Sequence, residues 1–135
     1  MPFVFPSPEW VEGLSSKLNS DARYAQIAKK WEGDLTLVIE PSGPVKETLY
    51  YYFDLWHGTC RKQEILQSLS IKSAFILNAP YENFVKVLKG EIEPMTAMLT
   101  RRISVQGNMA VMMRNIPVVM DFVRCAREIT SEVLS

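Results

Sequence analysis

The chain is poor in the residues on which most enzyme sites are built. It contains one histidine and two cysteines, and its fifteen basic and fifteen acidic side chains cancel. Zero net charge disfavours a duplex-binding surface, which needs excess Lys and Arg to neutralise phosphates, so no nucleic-acid partner is expected. Cys60 and Cys125 lie far apart and form no CxxC pair; buried reduced thiols are the expectation, with a disulfide as the alternative. The GxSxG, P-loop, GxGxxG and HExxH patterns are absent, which removes the common catalytic templates. No apolar run is longer than Met109 to Met113, far too short to span a bilayer. The opening Met-Pro-Phe-Val-Phe-Pro lacks the basic start and uninterrupted apolar core of a secretion signal. The closing Glu-Val-Leu-Ser is not a Ser-Lys-Leu type of address. A cytoplasmic location is therefore expected.

What the chain does have is a core. At 135 residues, 47% hydrophobic and 22% charged, it is long enough to bury one as a single domain over residues 1–135. Ser7-Pro8 signals a helix start, and Trp10, Val11, Leu14 and Leu18 share one face. Ser20 or Asp21 caps a second helix carrying Tyr24, Ile27, Ala28 and Trp31, ended by Gly33. The N-terminal part, 7–32, is thus a helical pair. Strands follow over 34–78. Asp34 to Glu40 alternates, Pro41-Ser42-Gly43-Pro44 turns, and Leu49 to Trp56 is long and aromatic. His57-Gly58 makes a hairpin turn into Thr59 to Leu66, and Ile71 to Asn78 is the next strand. Short turns between these strands predict an antiparallel meander. From 80 to 133 the period lengthens. Tyr81, Phe84, Val85 and Leu88 share a helix face before Gly90, Pro94 opens a brief helix, and Arg102 to Gln106 returns to strand. Asn108 caps a helix from Met109 to Arg114, and a last helix runs from Pro117 to about Val133. The class is α+β, one sheet covered by helices.

Two clusters invite a chemical reading. Asp54, His57 and Cys60 are spaced three apart, but in strands and a turn this spacing does not bring them together, and they lack a fourth ligand for zinc. A structural turn is the stronger reading, and no metal site is assigned. The second cluster is methionine: six of the seven fall between Met95 and Met120. Met is unbranched and polarizable, so it suits either an irregular core or a wall that adapts to varied apolar guests.

The order of features from Phe84 to Ile116, FVKVLKGEIEPMTAMLTRRISVQGNMAVMMRNI, resembles the sterol carrier protein type 2 family of small lipid-binding domains. The anchors are a helix ending at Gly90, Pro94 and Ala97 in a short helix, a short strand, Gly107-Asn108-Met109 and a Met-rich helix. That resemblance implies a five-stranded, mostly antiparallel sheet covered by helices, enclosing an apolar tunnel. It implies no catalytic residue and no cofactor, but binding and transfer of fatty acids, acyl-CoA esters, sterol- or isoprenoid-like lipids. Expected to line the tunnel are Phe84, Leu88, Met95, Met98, Leu99, Met109, Met112, Met113 and Ile116, with Tyr51, Phe53 and Leu55 from the sheet. Arg101 and Arg102, with Lys86 or Lys89, are candidates for a charged head group, against the competing reading of a solvated surface pair.

Two departures bear on this. The aromatic stretch Tyr50 to Trp56 would narrow the cavity, which weakens the case for sterols more than for acyl chains. The long final helix is a candidate lid, homodimer face or docking surface for a partner enzyme, through Val119, Phe122, Val123 and Ala126. In that alternative the protein is an accessory module presenting a lipid intermediate to its partner. A hydrolase using His57 is a third, distinct reading.

Overall fold

A computed structural model describes residues 3 to 135; Met1 and Pro2 of the opening segment lie outside the described residues. Strand β1 (Phe3–Phe5) leads into helix α1 (Pro8–Ser20). Ser7 caps α1 by accepting from the Trp10 amide at 3.3 Å, with Pro8 at the first helical position. The Asp21 carboxylate then caps α2 (Ala22–Ile27), accepting from the Tyr24 amide at 2.9 Å. This helix stops at Ile27, earlier than the apolar periodicity suggests, yet Ala28 and Trp31 remain buried beyond it.

Five strands form the main sheet: β2 (Leu35–Glu40), β3 (Leu49–Trp56), β4 (Thr59–Leu66), β5 (Phe75–Pro80) and β6 (Ser104–Gln106). Their spatial order is β4-β3-β2-β5-β6. The β3–β4 hairpin turns through His57 and Gly58, both at positive φ (50° and 82°), the pairing of signs a type I′ turn requires. A Cβ on Gly58 would lie 2.7 Å from the Ala25 carbonyl oxygen, so the turn is also closed against α2.

The expected meander is only half right. β4, β3 and β2 pair antiparallel, but β5 returns to lie parallel to β2, and β6 completes the sheet antiparallel to β5. Alternation fixes which face a residue takes and says nothing about which strand lies beside it. Here Asp34 decides the neighbour. Its carboxylate accepts from the Ala74 amide at 2.6 Å and from the Tyr52 hydroxyl at 2.7 Å, and its carbonyl accepts from the Phe75 amide at 3.1 Å. These bonds seat the start of β5 beside the start of β2. Residues 67–74 form the crossover, so the expected strand from Ile71 begins only at Phe75. A buried Thr36–Ser73 hydroxyl pair at 2.9 Å ties the crossover down.

The rest is helical: α3 (Tyr81–Leu88), α4 (Pro94–Leu99), α5 (Met109–Arg114) and α6 (Ile116–Ile129). The last helix ends at Ile129, short of the expected Val133, because Thr130–Val133 forms strand β7 parallel to β1. Thr130 closes this end: its hydroxyl accepts from the Trp10 indole at 2.8 Å and donates to the Ala126 carbonyl at 2.6 Å. Two short strands more than a hundred residues apart leave no local signature.

The linker elements explain the motif between Gly90 and Asn108. α4 ends with Arg101 at φ 61°, its amide reaching the Met98 carbonyl at 3.2 Å while the Arg102 amide reaches that of Ala97 at 2.9 Å. This is the two-bond Schellman closure of a helix. Ala97 is 1% exposed and its carbonyl also accepts from Ile103, so a small residue is needed where the chain doubles back. Gly107, at φ 138°, has no room for a side chain: a Cβ would sit 2.5 Å from the Phe75 ring and 2.6 Å from the Ala74 carbonyl oxygen. Asn108 then caps α5 through the Val111 amide at 3.2 Å.

Candidate functional site

One face of the sheet and all six helices surround a cavity of about 110 Å³ that is partly open to solvent. The register sets Leu35 opposite Phe75 and Leu37 opposite Leu77, and all four side chains form its floor together with Leu55 of β3. α3 contributes Phe84, Val87 and Leu88, α4 Met98, and α5 Met112. α6 gives the longest wall, with Val118, Val119, Phe122, Val123 and Ala126 at helical spacing. Trp10, Tyr24 and Trp31 close the end under the N-terminal helices.

No charged side chain lines this cavity, and Tyr24 is its one hydroxyl-bearing residue. The two indoles direct their N–H groups away, Trp10 to Thr130 and Trp31 to the Gly33 carbonyl at 2.9 Å. Burial raises the Tyr24 phenol well above its ordinary pKa, so it stays neutral at any physiological pH. The chemistry available is therefore dispersion and exclusion of water, with no anchor for an ion.

Of the expected lining residues, Phe84, Leu88, Met98, Met112 and Leu55 are brought together around this cavity. Met95, Phe53 and Tyr51 are buried but do not face it. Phe53 packs edge-on against Phe122 with ring centroids 6.2 Å apart, one layer behind the wall, and the Tyr51 hydroxyl donates to the Pro6 carbonyl. Ile116 is partly buried and also outside the lining. Leu99, Met109 and Met113 correct the expectation: they are 63%, 36% and 42% exposed. Leu99 and Met113 each sit about a quarter of a turn past an inward-facing neighbour, Met98 and Met112, and a helix of one or two turns cannot bury both directions; Met109 opens α5 at its exposed first turn. Arg101 and Arg102 are exposed at the α4 closure and outside the lining, as are Lys86 on α3 and Lys89 at its C-cap.

The largest omission from the sequence expectation is α6. Its apolar stripe, for which a lid, a homodimer face or a docking surface were the candidate roles, is turned inward onto the cavity, the orientation a lid needs. The stripe is legible in the sequence; its direction depends on what packs against it. The narrowing ascribed to Tyr50–Trp56 also has another source. Seven aromatic rings line the cavity, and none belongs to that stretch.

α6 is held from behind by ions. The Arg124 guanidinium donates to Asp121 at 2.8 and 3.0 Å, to Asp21 at 2.6 and 3.2 Å and to Glu128 at 2.9 Å. Lys17 reaches Asp21 at 3.1 Å and Glu128 at 2.8 Å, and Arg23 reaches Asp121 at 3.3 Å. Arg124 holds the Asp21 carboxyl far below the usual carboxylate range, and Arg124 is held further toward its charged form in return. Asp21, Asp121 and Cys125 converge closely enough to suggest metal donors, but the carboxylates are already neutralised by these cations. Burial pushes the Cys125 thiol up to about 11, which keeps it protonated. The group is an ion-pair clamp between α6 and the α1–α2 junction. Around the hairpin, Asp54 pairs with Arg61 at 3.1 Å, His57 with Glu32 at 2.6 Å, and Cys60 is buried. These three residues are thus engaged separately.

The SCP-2 sterol transfer family model matches residues 12–120, most of the chain, ending within the first turns of α6. The chain belongs to the SCP-2 sterol transfer family. A crystal structure of sterol carrier protein 2 has a TM-score of 0.82 at 27% identity, covering 92% of this chain and 98% of that one. A solution structure of a possible sterol carrier protein from Thermus thermophilus gives 0.83 at 26% identity, with 93% and 89% covered. A ubiquinone synthesis protein shares the fold at 16% identity and a TM-score of 0.53, with 95% and 94% covered. No curated protein matches significantly. Membership makes this a lipid-binding fold, with a five-stranded mixed sheet and covering helices of the α+β class. Among the described residues no helix is long and apolar enough to cross a membrane.

Proposed function

We propose that the protein binds and transfers single-chain apolar lipids without chemistry, fatty acids and their thioesters before sterols, in the cavity between the sheet and α6. The observation that carries this reading is the lining itself: wholly apolar but for one neutral phenol, and built mainly of Leu, Val, Met and Phe. A family known for lipid binding, a methionine pair at Met98 and Met112 and a wall formed largely by one helix all support it.

Size bears on which lipid. At about 110 Å³ the cavity is smaller than the roughly 150 Å³ void that accommodates benzene, and ligand pockets usually run about 300–1,000 Å³. A long chain is therefore buried along its whole length only if the wall moves outward. A flexible acyl chain recruits that space progressively, each methylene contributing about 0.8 kcal/mol. A rigid fused-ring sterol demands it all at once, against seven aromatic rings. Preference for acyl chains over sterols follows. An accessory module that presents a lipid intermediate to a partner enzyme is the second reading; with the α6 stripe lining the cavity, it would dock through another face.

Native mass spectrometry of freshly purified protein, followed by organic extraction, tests the proposal. A co-migrating acyl or isoprenoid species is the expected result. A mass that stays clean after incubation with palmitate and palmitoyl-CoA defeats it.

A further inference from the structure

Four tyrosines are buried among the described residues: Tyr24, Tyr51, Tyr52 and Tyr81. Three of them donate their hydroxyls to the protein itself. Tyr51 donates to the Pro6 carbonyl, Tyr52 to the Asp34 carboxylate at 2.7 Å and Tyr81 to the Leu134 carbonyl. Tyr24, 1% exposed, makes no such bond among the described residues; only its backbone is engaged, through the Asp21 cap and the Ala28 amide. Every described side-chain oxygen and nitrogen that is sealed off from space has a partner. An unbonded Tyr24 hydroxyl therefore has open space beside it, and the cavity that its side chain lines supplies that space.

The phenol is fixed in place by the protein alone. Tyr24 stands in the first turn of α2, whose cap, the Asp21 carboxylate, is gripped by Arg124 at 2.6 and 3.2 Å and by Lys17 at 3.1 Å. The ionisable groups that bear on the phenol are Cys125, Cys60 and Asp121. Both Asp121 oxygens accept from Arg124, and the Cys60 thiol donates to the Lys62 carbonyl at 3.3 Å. The protonated Cys125 thiol is only a weak acceptor. Tyr24 is thus a preorganised donor without an acceptor in an apolar cavity, the arrangement in which an incoming oxygen counts most.

A carboxylate finds no cation in the lining, so it stays outside and the chain enters tail-first. At roughly 30 Å³ each, only about four chain carbons fill a cavity of about 110 Å³. The oxygen that meets Tyr24 is therefore neutral and lies at or near the inserted end. We infer that Tyr24 is a specificity-determining residue, its hydroxyl donating to a terminal hydroxyl of the ligand, which makes ω-hydroxylated fatty acids preferred over plain ones. The inference rests on the reading of the cavity as a lipid site and names the chain chemistry that site selects.

Displacement of a fluorescent fatty acid by dodecanoate and by ω-hydroxydodecanoate, in wild type and in Tyr24→Phe, forms a cycle whose coupling belongs to the two hydroxyls. Wild type should hold the hydroxy acid at least as tightly as the plain acid, although the added hydroxyl favours water. Tyr24→Phe should lose about tenfold for the hydroxy acid, whose oxygen is then left unpaired in an apolar cavity. Its affinity for dodecanoate should be unchanged. Its urea midpoint should not fall, because the hydroxyl removed has no protein partner. Tyr52→Phe, outside the lining, takes a donor from Asp34. It should lower the urea midpoint and keep the wild-type preference between the two acids, which separates a structural hydroxyl from a selecting one.

An affinity ratio for the two acids that is the same in wild type and Tyr24→Phe overturns the inference and leaves the lipid cavity standing. Wild type that prefers the plain acid by tenfold or more overturns it as well. Failure of wild type to bind either acid defeats the cavity reading and this inference together. A crystal structure of wild type with ω-hydroxydodecanoate decides the matter without any variant. The terminal oxygen is expected within about 3 Å of the Tyr24 hydroxyl, and a terminal oxygen bonded elsewhere or left in solvent overturns the assignment.

Discussion

Phe122 is the residue whose removal tests the cavity most directly. Its ring stands on the α6 wall, edge-on to Phe53, with the cavity on its other side. Truncation to alanine removes roughly 100 Å³ of side chain, which would nearly double a cavity of about 110 Å³. Core Phe→Ala changes cost about 3–5 kcal/mol, and the lower end applies because this ring already faces space on one side. Unliganded Phe122→Ala protein should therefore lose about 3 kcal/mol in urea unfolding. Binding should move the other way. At roughly 30 Å³ each, about three more methylenes fit without displacing α6, worth near 2.4 kcal/mol gross. Affinity for palmitate should rise roughly ten- to fiftyfold, while that for a chain short enough to fit the original cavity changes little. The assay is displacement of a fluorescent fatty acid by saturated acids of increasing length, with unfolding measured at each saturating ligand. Ligand should restore more stability to the variant than to wild type, since it fills the space the ring left. A folded Phe122→Ala protein with an unchanged chain-length profile would refute the assignment of this cavity as the lipid site.

Other consequences follow from the clamp and the turns. Arg124→Met leaves Asp121, 3% exposed, without its bidentate partner. It should cost on the order of 3 kcal/mol in urea unfolding, and a change below about 1 kcal/mol would show the cluster to be incidental. Because the Asp21 carboxyl is held below its unfolded value, its contribution is present above about pH 4. That stability is lost as pH falls from there toward the depressed folded value. The urea midpoint of wild type should drop on acidification below about pH 4 more steeply than that of Asp21→Asn; parallel slopes would contradict this. Gly107→Ala should destabilise by about 2 kcal/mol or more, since both the Phe75 ring and the Ala74 carbonyl obstruct the new Cβ. Gly90→Ala, with φ 78° but open space around it, should cost only about 1 kcal/mol; equal losses would mean that conformation alone, not contact, sets the requirement.

Local chemistry made much of this protein legible from its residues in order. Ser7-Pro8, Asp21, His57-Gly58, Pro94 and Gly107-Asn108 each act on their own few neighbours, through a capped amide or a positive φ, and each stands where the sequence puts it. The same holds for the apolar stripes of α3 and α6 and for the methionines of α4 and α5, whose spacing is a property of the helix alone. What no window of sequence contains is the partner of each face. Asp34 captures residues forty positions away and so makes β5 parallel to β2. β1 finds β7 across the length of the chain, and Arg124 reaches Asp21 to turn the α6 stripe inward. Met112 and Met113 differ only in which side of one short helix they occupy, yet one lines the cavity and the other meets solvent. Composition and periodicity determine that apolar surface must be buried; only long-range pairing decides against what, and therefore where the cavity lies.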